Sequence, residues 1–279
     1  MSIVKRFGFL SAAIGMSFCT LSAYGQDSST VRIAVSNDLS GVYSDLGGRG
    51  EYVAAKLAVE DYGGELLGKK IEVIGGDNQN KADIASQMAR TWIDTKNVVA
   101  ILSGGASSAG LATQKIASDK ETTVLITAGF ADDFRGKQCS PYSTQWAPEA
   151  YTLASGVTQG LAQDSDMSWF FVAPDYVFGK TLASSATKFI EEAQGEVLGQ
   201  KLYPFPSSDF SSYILTAQSS GADVVGFTGA GGDLVTFVRQ AEDFGVSVDR
   251  QLSCPVYRQL TWPVFSFCNS IFFIAVLRL

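Results

Sequence analysis

Histidine is absent from all 279 residues. A Ser-His-Asp triad, a Cys-His pair, a histidine-ligated metal and the usual neutral-pH proton shuttle are therefore excluded within this chain. Cysteine is scarce as well. Cys19, Cys139, Cys254 and Cys268 are the four present, and their spacing matches neither a disulfide framework nor a zinc pattern. No cofactor and no metal are expected. Positive charge is also in short supply: 21 basic residues face 28 acidic ones, for a formal net charge of −7. That balance disfavours nucleic acid and anionic membrane surfaces as partners. Acidic residues are missing from one region altogether. Residues 251–279 hold no Asp or Glu, and they end in the apolar "SIFFIAVLRL", unlike the rest of the chain.

The N-terminus has its own character. Lys5 and Arg6 precede "FGFLSAAIGMSFCTL", and Ala23 and Gly25 supply the small residues that a signal peptidase reads. The expectation is a signal peptide over residues 1–25, cleaved after Gly25. A permanent membrane helix needs about 20 apolar residues, more than this run provides. Cys19 lies inside the apolar run, so no lipid-anchoring cysteine stands at the boundary. Cleavage would remove two basic residues and no acidic ones, leaving a soluble, exported chain with a net charge of −9.

From residue 31 onward, short β-branched runs alternate with longer segments of helical period. "VRIAVSN", "KKIEVIGG", "NVVAILSG" and "TTVLITAG" read as strands. "RGEYVAAKLAVEDYGG", "KADIASQMARTWIDTK" and "AGLATQKIASDK" read as helices, the second with Ile84, Ala85, Met88, Ala89 and Trp92 on one face. A second series follows, from "WFFVAP" to "DLVTFVRQAEDFG". Such alternation predicts βαβ units with right-handed crossovers and parallel sheets flanked by helices, an α/β fold. "GKQCSPYSTQW" carries turn residues and little periodicity, which sets the expected divisions at 26–140 for an N-terminal lobe, 141–250 for a second lobe and 251–279 for an atypical tail.

The stretch "GGASSAG", residues 104–110, sits between a strand pattern and a helix pattern. A P-loop needs Lys and then Ser or Thr after its last glycine, but Leu111 and Ala112 follow Gly110. A nucleophile elbow needs a glycine two residues to each side of its serine, and neither Ser107 nor Ser108 has both. Two readings stay open. The serines cap the next helix, or the turn presents N–H groups and a helix N-terminus to a ligand carboxylate. Other strand ends offer similar material. Ala128, Gly129 and Phe130 follow one strand, Asp175, Tyr176 and Phe178 another, and Gly229 and Ala230 a third, while Tyr43 follows the first. Small residues and aromatics with few convergent charges, at the carboxyl ends of strands, suit an apolar pocket lined from both lobes.

The ordered series "SGVYSDLGGRG", "AAKLAVEDYGG", "DNQNKADIASQMARTWID", "QCSPYSTQW", "WFFVAPDYVFG", "SDFSSYILTAQSSGADVVGFTGAGGD" and "VRQAEDFG" resembles the periplasmic solute-binding proteins of branched-chain-amino-acid-type ABC importers. Within them it is most similar to the branch that handles amides and aromatic or hydrophobic carboxylates. The resemblance covers about residues 31 to 250. It implies a two-lobed type I periplasmic-binding-protein fold that closes on its ligand by a hinge. It also implies a periplasmic location, a small-molecule ligand and an inner-membrane ABC permease as partners, and no enzymatic activity. Ser107, with Ala106 beside it, matches the position that binds the ligand carboxylate. Two departures qualify the likeness. Family members continue beyond this point and return to the first lobe, so the C-terminal part of that lobe is expected to be missing. The acid that receives an amino-acid ligand's ammonium comes from a region that is acid-free here, which counts against an amino-acid ligand. Two other readings stand beside the transport receptor. One is a sensory domain that binds amides or small acids and regulates a partner protein. The other is an exported enzyme using Ser107 or Asp175 without histidine.

Overall fold

The structure, a computed structural model, describes residues 29–161, 167–248 and 275–278. The expected signal peptide lies outside the described residues, as does most of the atypical tail. Strand β1 (Thr30–Asn37) is followed by helix α1 (Gly48–Asp61), the short strand β2 (Glu65–Leu66) and β3 (Lys69–Asp77). Then come α2 (Ala82–Lys96), β4 (Val98–Ser103), α3 (Ser107–Asp119), β5 (Thr123–Ile126) and β6 (Ser143–Gln145). These strands form one sheet in the order β2-β3-β1-β4-β5-β6, parallel except for the β2–β3 hairpin. The chain then passes through α4 (Ala150–Leu161), β7 (Ser168–Pro174), α5 (Val177–Glu192), β8 (Glu196–Tyr203), α6 (Ser211–Ser219), β9 (Val224–Phe227) and α7 (Gly231–Asp243). Strands β10 (Ser247–Val248) and β11 (Ala275–Arg278) complete a second sheet, ordered β10-β11-β9-β7-β8.

The expected two-lobed α/β architecture is what the chain forms. The apolar stripe read on α2 is the buried one: Ala85, Ala89 and Trp92 face inward, and Asn97 ends the helix in the left-handed region at φ 52°. Helix α3 is buried along most of its length because its residues are small. A Cβ on Gly110 would lie 2.9 Å from the Phe134 ring, so the glycine lets helix and ring meet. In the second lobe Tyr203, Phe210, Phe227 and Phe237 form an aromatic core, with Phe227 and Phe237 stacked at 4.1 Å.

The first sheet runs past the expected division at residue 140, because β6 pairs with β5 through Gln145. Its three residues are too few and too polar to show a strand period. Helix α4 and strand β2 are likewise elements that the sequence reading does not distinguish. The described part of the tail, β11, inserts antiparallel between β9 and β10, with Leu277 fully buried. A late segment thus supplies backbone partners to β9 that would otherwise form an unpaired edge.

In the first sheet the connections leave in opposite directions on either side of β1 and β4, and ligands bind at such a switch point, outside the carboxyl ends of the strands. The carboxyl ends of β1, β4 and β5 face those of β7 and β9 across the lobes. Hydrogen bonds cross the gap: the N–H of Gly232 donates to the carbonyl of Val42 at 2.8 Å, and the hydroxyls of Tyr43 and Tyr176 are 2.6 Å apart.

Candidate functional site

The cleft between the lobes encloses a cavity of about 260 Å³. That is just below the usual range for drug-sized ligands, about 300–1,000 Å³, and suits a smaller molecule. The first lobe contributes Asn37, Tyr43, Leu46, Gly47, Gly105, Ser107, Ala128 and Phe130, and the second contributes Tyr176, Phe178 and Ala230. Pro148 comes from the segment before α4 and Leu153 from its first turn. None of these side chains carries a formal charge.

Ser107 is the first residue of α3, after Ala106 at the N-cap. Neither serine of the "GGASSAG" turn caps the helix, which departs from one of the two readings above. The Ser107 hydroxyl is engaged elsewhere, accepting the backbone N–H groups of Phe130 at 3.1 Å and Ala131 at 3.2 Å. With both lone pairs occupied, the hydroxyl proton remains as a donor. It stands at the positive end of α3, where the Ala109 and Gly110 N–H groups are taken by the Ala106 carbonyl and those of Ser107 and Ser108 lie ahead of the first helical bonds. The arrangement offers hydrogen-bond donors to an anion at the cavity floor.

Gly105 shapes the turn that carries this serine. Its φ of +83° suits glycine, and a Cβ would sit 2.8 Å from the Asn80 side-chain oxygen. Asn80, at φ 57°, accepts the Ala106 N–H at 2.8 Å and donates from its side-chain nitrogen to Asp38 at 2.5 Å. The buried Asp38 carboxylate also accepts the N–H groups of Gly41 at 2.6 Å, Tyr43 at 2.9 Å and Ser40 at 3.3 Å. Close by, the Glu51 carboxylate of α1 accepts bonds from the Asn37 amide and the Thr127 hydroxyl. Burial pushes the Glu51 carboxyl above its ordinary range, against the opposing pull of those two donors.

The opposite wall is aromatic. Tyr43 and Tyr176 each pack on Phe205, at 5.1 and 4.8 Å between ring centroids, and Phe178 lies 5.7 Å from Phe130. Burial drives both phenols well above their ordinary range, so both hydroxyls stay protonated through the neutral range. Behind this wall lies Asp233, on the first turn of α7 and fully buried. One of its oxygens takes the Ser207 N–H at 3.4 Å, and the Tyr203 hydroxyl faces the same carboxyl. Burial raises the Asp233 carboxyl to about 6.

Of the residues that the sequence singles out, Tyr43, Ser107, Ala128, Phe130, Tyr176, Phe178 and Ala230 meet around the cavity. Four stand outside its lining. Ala106 is buried at the N-cap, and the Gly129 carbonyl accepts a bond from the Gln145 side chain at 2.7 Å. Asp175 pairs with Lys180 at 2.5 Å on the surface, where the charge is solvated. Gly229 lets the Tyr203 hydroxyl approach, since a Cβ there would lie 2.5 Å from it. Asn37, Leu46, Gly47, Gly105, Pro148 and Leu153 are lining residues that the sequence reading misses. Asn37 could have been found as the last residue of β1, and Gly105 as a residue of the turn just after β4. Leu46, Pro148 and Leu153 carry no such signal.

Among the described residues, no group of three or more His, Cys, Asp or Glu could hold a metal ion, and no helix is long and apolar enough to cross a membrane.

Two α/β lobes thus stand apposed, with a small cavity between their strand ends whose described lining is uncharged. The sequence profile of the periplasmic binding protein family matches residues 30–260, and the chain belongs to that family. It is 26% identical over 200 residues to Leu/Ile/Val-binding protein homolog 7 of Brucella abortus (strain 2308), covering 68% of this chain and 50% of that protein. The crystal structure of a periplasmic binding protein from Burkholderia mallei is 38% identical, with a TM-score of 0.76, covering 78% of this chain and 58% of that one. An R. palustris ABC-transporter solute-binding protein in complex with benzoate shares the fold at 20% identity and a TM-score of 0.69, covering 81% and 61%. The chain thus spans half to about three-fifths of the length of these proteins.

Proposed function

We propose that the chain is the extracytoplasmic solute-binding receptor of an ABC importer, holding a small hydrophobic or aromatic carboxylate or amino acid in the interlobe cleft. On this reading it is exported through its N-terminal leader, works in the periplasm and hands its ligand to an inner-membrane permease. One observation carries the reading. The Ser107 hydroxyl, saturated as an acceptor by two backbone amides, keeps its proton as a donor at the N-terminus of α3, on the floor of a largely apolar cavity. An anionic group fits that floor, and an aromatic or branched body fits walls made by Phe130, Phe178, Tyr43 and Tyr176.

Among the described residues the lining is uncharged, and an acid without an ammonium group fits that lining better than an amino acid does. Coming from a different direction, the benzoate held by the R. palustris protein of the same fold supports the same ligand class. A thermal-shift screen of benzoate, hydroxybenzoates, branched aliphatic acids, leucine, aromatic amides and sugars tests the assignment. Aromatic and branched acids are expected to raise the melting temperature. A response confined to sugars or polar amino acids would overturn it.

A further inference from the structure

The turn carrying Ser107 and the loop carrying Tyr43 are separated by more than sixty residues, yet a single chain of hydrogen bonds joins them. It runs from the Tyr43 N–H to Asp38, from Asp38 to the Asn80 side-chain nitrogen, and from the Asn80 side-chain oxygen to the Ala106 N–H, at 2.9, 2.5 and 2.8 Å. Asp38 is fully buried, so losing one of its partners would not be made good by water. Asn80 is held in place itself: its N–H donates to the Asn78 side chain at 2.9 Å, and Asn78 donates to the Gly104 carbonyl at 3.1 Å. Nearby, Asp77 makes a parallel brace by accepting the Leu39 and Gln79 N–H groups at 3.0 and 2.9 Å, but it reaches neither Tyr43 nor Ala106.

From this geometry we propose that Asp38 and Asn80 are positioning residues that make the Ser107 turn and the Tyr43 loop move as one unit. Neither side chain lines the cavity; each acts through backbone amides. The consequence for binding rests on the function proposed above: the donor at the cavity floor and the tyrosine that meets the second lobe keep a fixed separation. An acid of matching length would find both in place, and one end of the site could not relax without the other.

The test uses amide hydrogen exchange on the full chain with Asn80→Ala and Asp38→Asn, together with calorimetry using benzoate as the probe. Asn80 touches the Ala106 amide and Asp38 touches the Tyr43 amide, so a merely local role would speed exchange only at each residue's own partner. The proposal expects reciprocity. Asn80→Ala should speed exchange at Tyr43 at least tenfold as well as at Ala106, and Asp38→Asn should do the same in reverse. Exchange confined to direct partners in either variant overturns it, and Asn80→Ala suffices if Asp38→Asn does not fold. Benzoate affinity should fall about tenfold in both variants while the folded fraction is unchanged. Reciprocal exchange with unaltered affinity would reduce the pair to scaffolding and overturn the positioning role. Reciprocal exchange in the variants, with a wild-type chain that binds no benzoate, would instead count against the proposed ligand class and leave the mechanical coupling in place.

Discussion

The hydroxyls of Tyr43 and Tyr176 lie 2.6 Å apart, one from each lobe, and both are held protonated by burial. This bond joins the loop after β1 to the N-cap of α5 directly across the cleft. Tyr176→Phe removes it and leaves the Tyr43 hydroxyl buried without that partner. The expected cost is about 1–2 kcal/mol of ligand affinity, roughly a five- to thirtyfold weakening. Because neither phenol ionises near neutrality, the ratio of wild-type to variant affinity should stay flat from pH 6 to pH 8. Calorimetry across that range checks both statements.

Ser107→Ala should affect binding and folding together. The change removes the donor at the cavity floor, expected to cost about 1–3 kcal/mol of affinity for an acid. It also strips the acceptor from the Phe130 and Ala131 N–H groups, so a loss of about 1–2 kcal/mol in urea-melt stability should accompany it. A helix-surface serine would give neither effect.

Gly105→Ala places a side chain at φ +83° against the Asn80 oxygen. Strain of about 1–3 kcal/mol is expected, measurable as a lowered denaturant midpoint with an unchanged slope. Ligand affinity should drop as well, since the turn that carries Ser107 has to shift.

Asp233 supplies a pH signature. Its carboxyl rises from an ordinary 3.8 to about 6 on folding, so the folded state prefers the protonated form. Its favourable contribution is complete below about pH 4 and is lost as the pH rises through 6. At pH 7 the charged form is a burden of about 2–3 kcal/mol. Asp233→Asn should therefore stabilise the chain at pH 7 by an amount of that order and flatten its stability between pH 4 and pH 6. A variant less stable than wild type at pH 7 would contradict this account of the buried carboxyl.

Much of the architecture is legible in the sequence because its signals are local. Runs such as "NVVAILSG" announce buried strands, and the stripe of Ala85, Ala89 and Trp92 announces the inner face of α2. Cavity-lining residues in the turns after strands are legible for the same reason, as with Ser107, Ala128 and Tyr176. What escapes depends on distant partners. Strand β11 exists through pairing with β9 and β10, and β6 through pairing with β5; neither has a period of its own. Pro148 and Leu153 reach the cavity from the segment leading into α4 and from its first turn, and Asp38 looks like an ordinary loop acid until its four donors are seen together. Asp175 errs the other way: it stands in the right turn, but Lys180 holds its carboxylate at the surface.

The central claim is that the interlobe cavity binds a hydrophobic acid through the Ser107 turn. Its most direct test is a calorimetric titration of benzoate, and of benzamide as its uncharged counterpart, into wild type and Ser107→Ala. The account predicts that wild type binds benzoate more tightly than benzamide and that Ser107→Ala erases most of that difference. Equal affinity of wild type for the two compounds, or a preference for benzoate that survives the substitution, would contradict it.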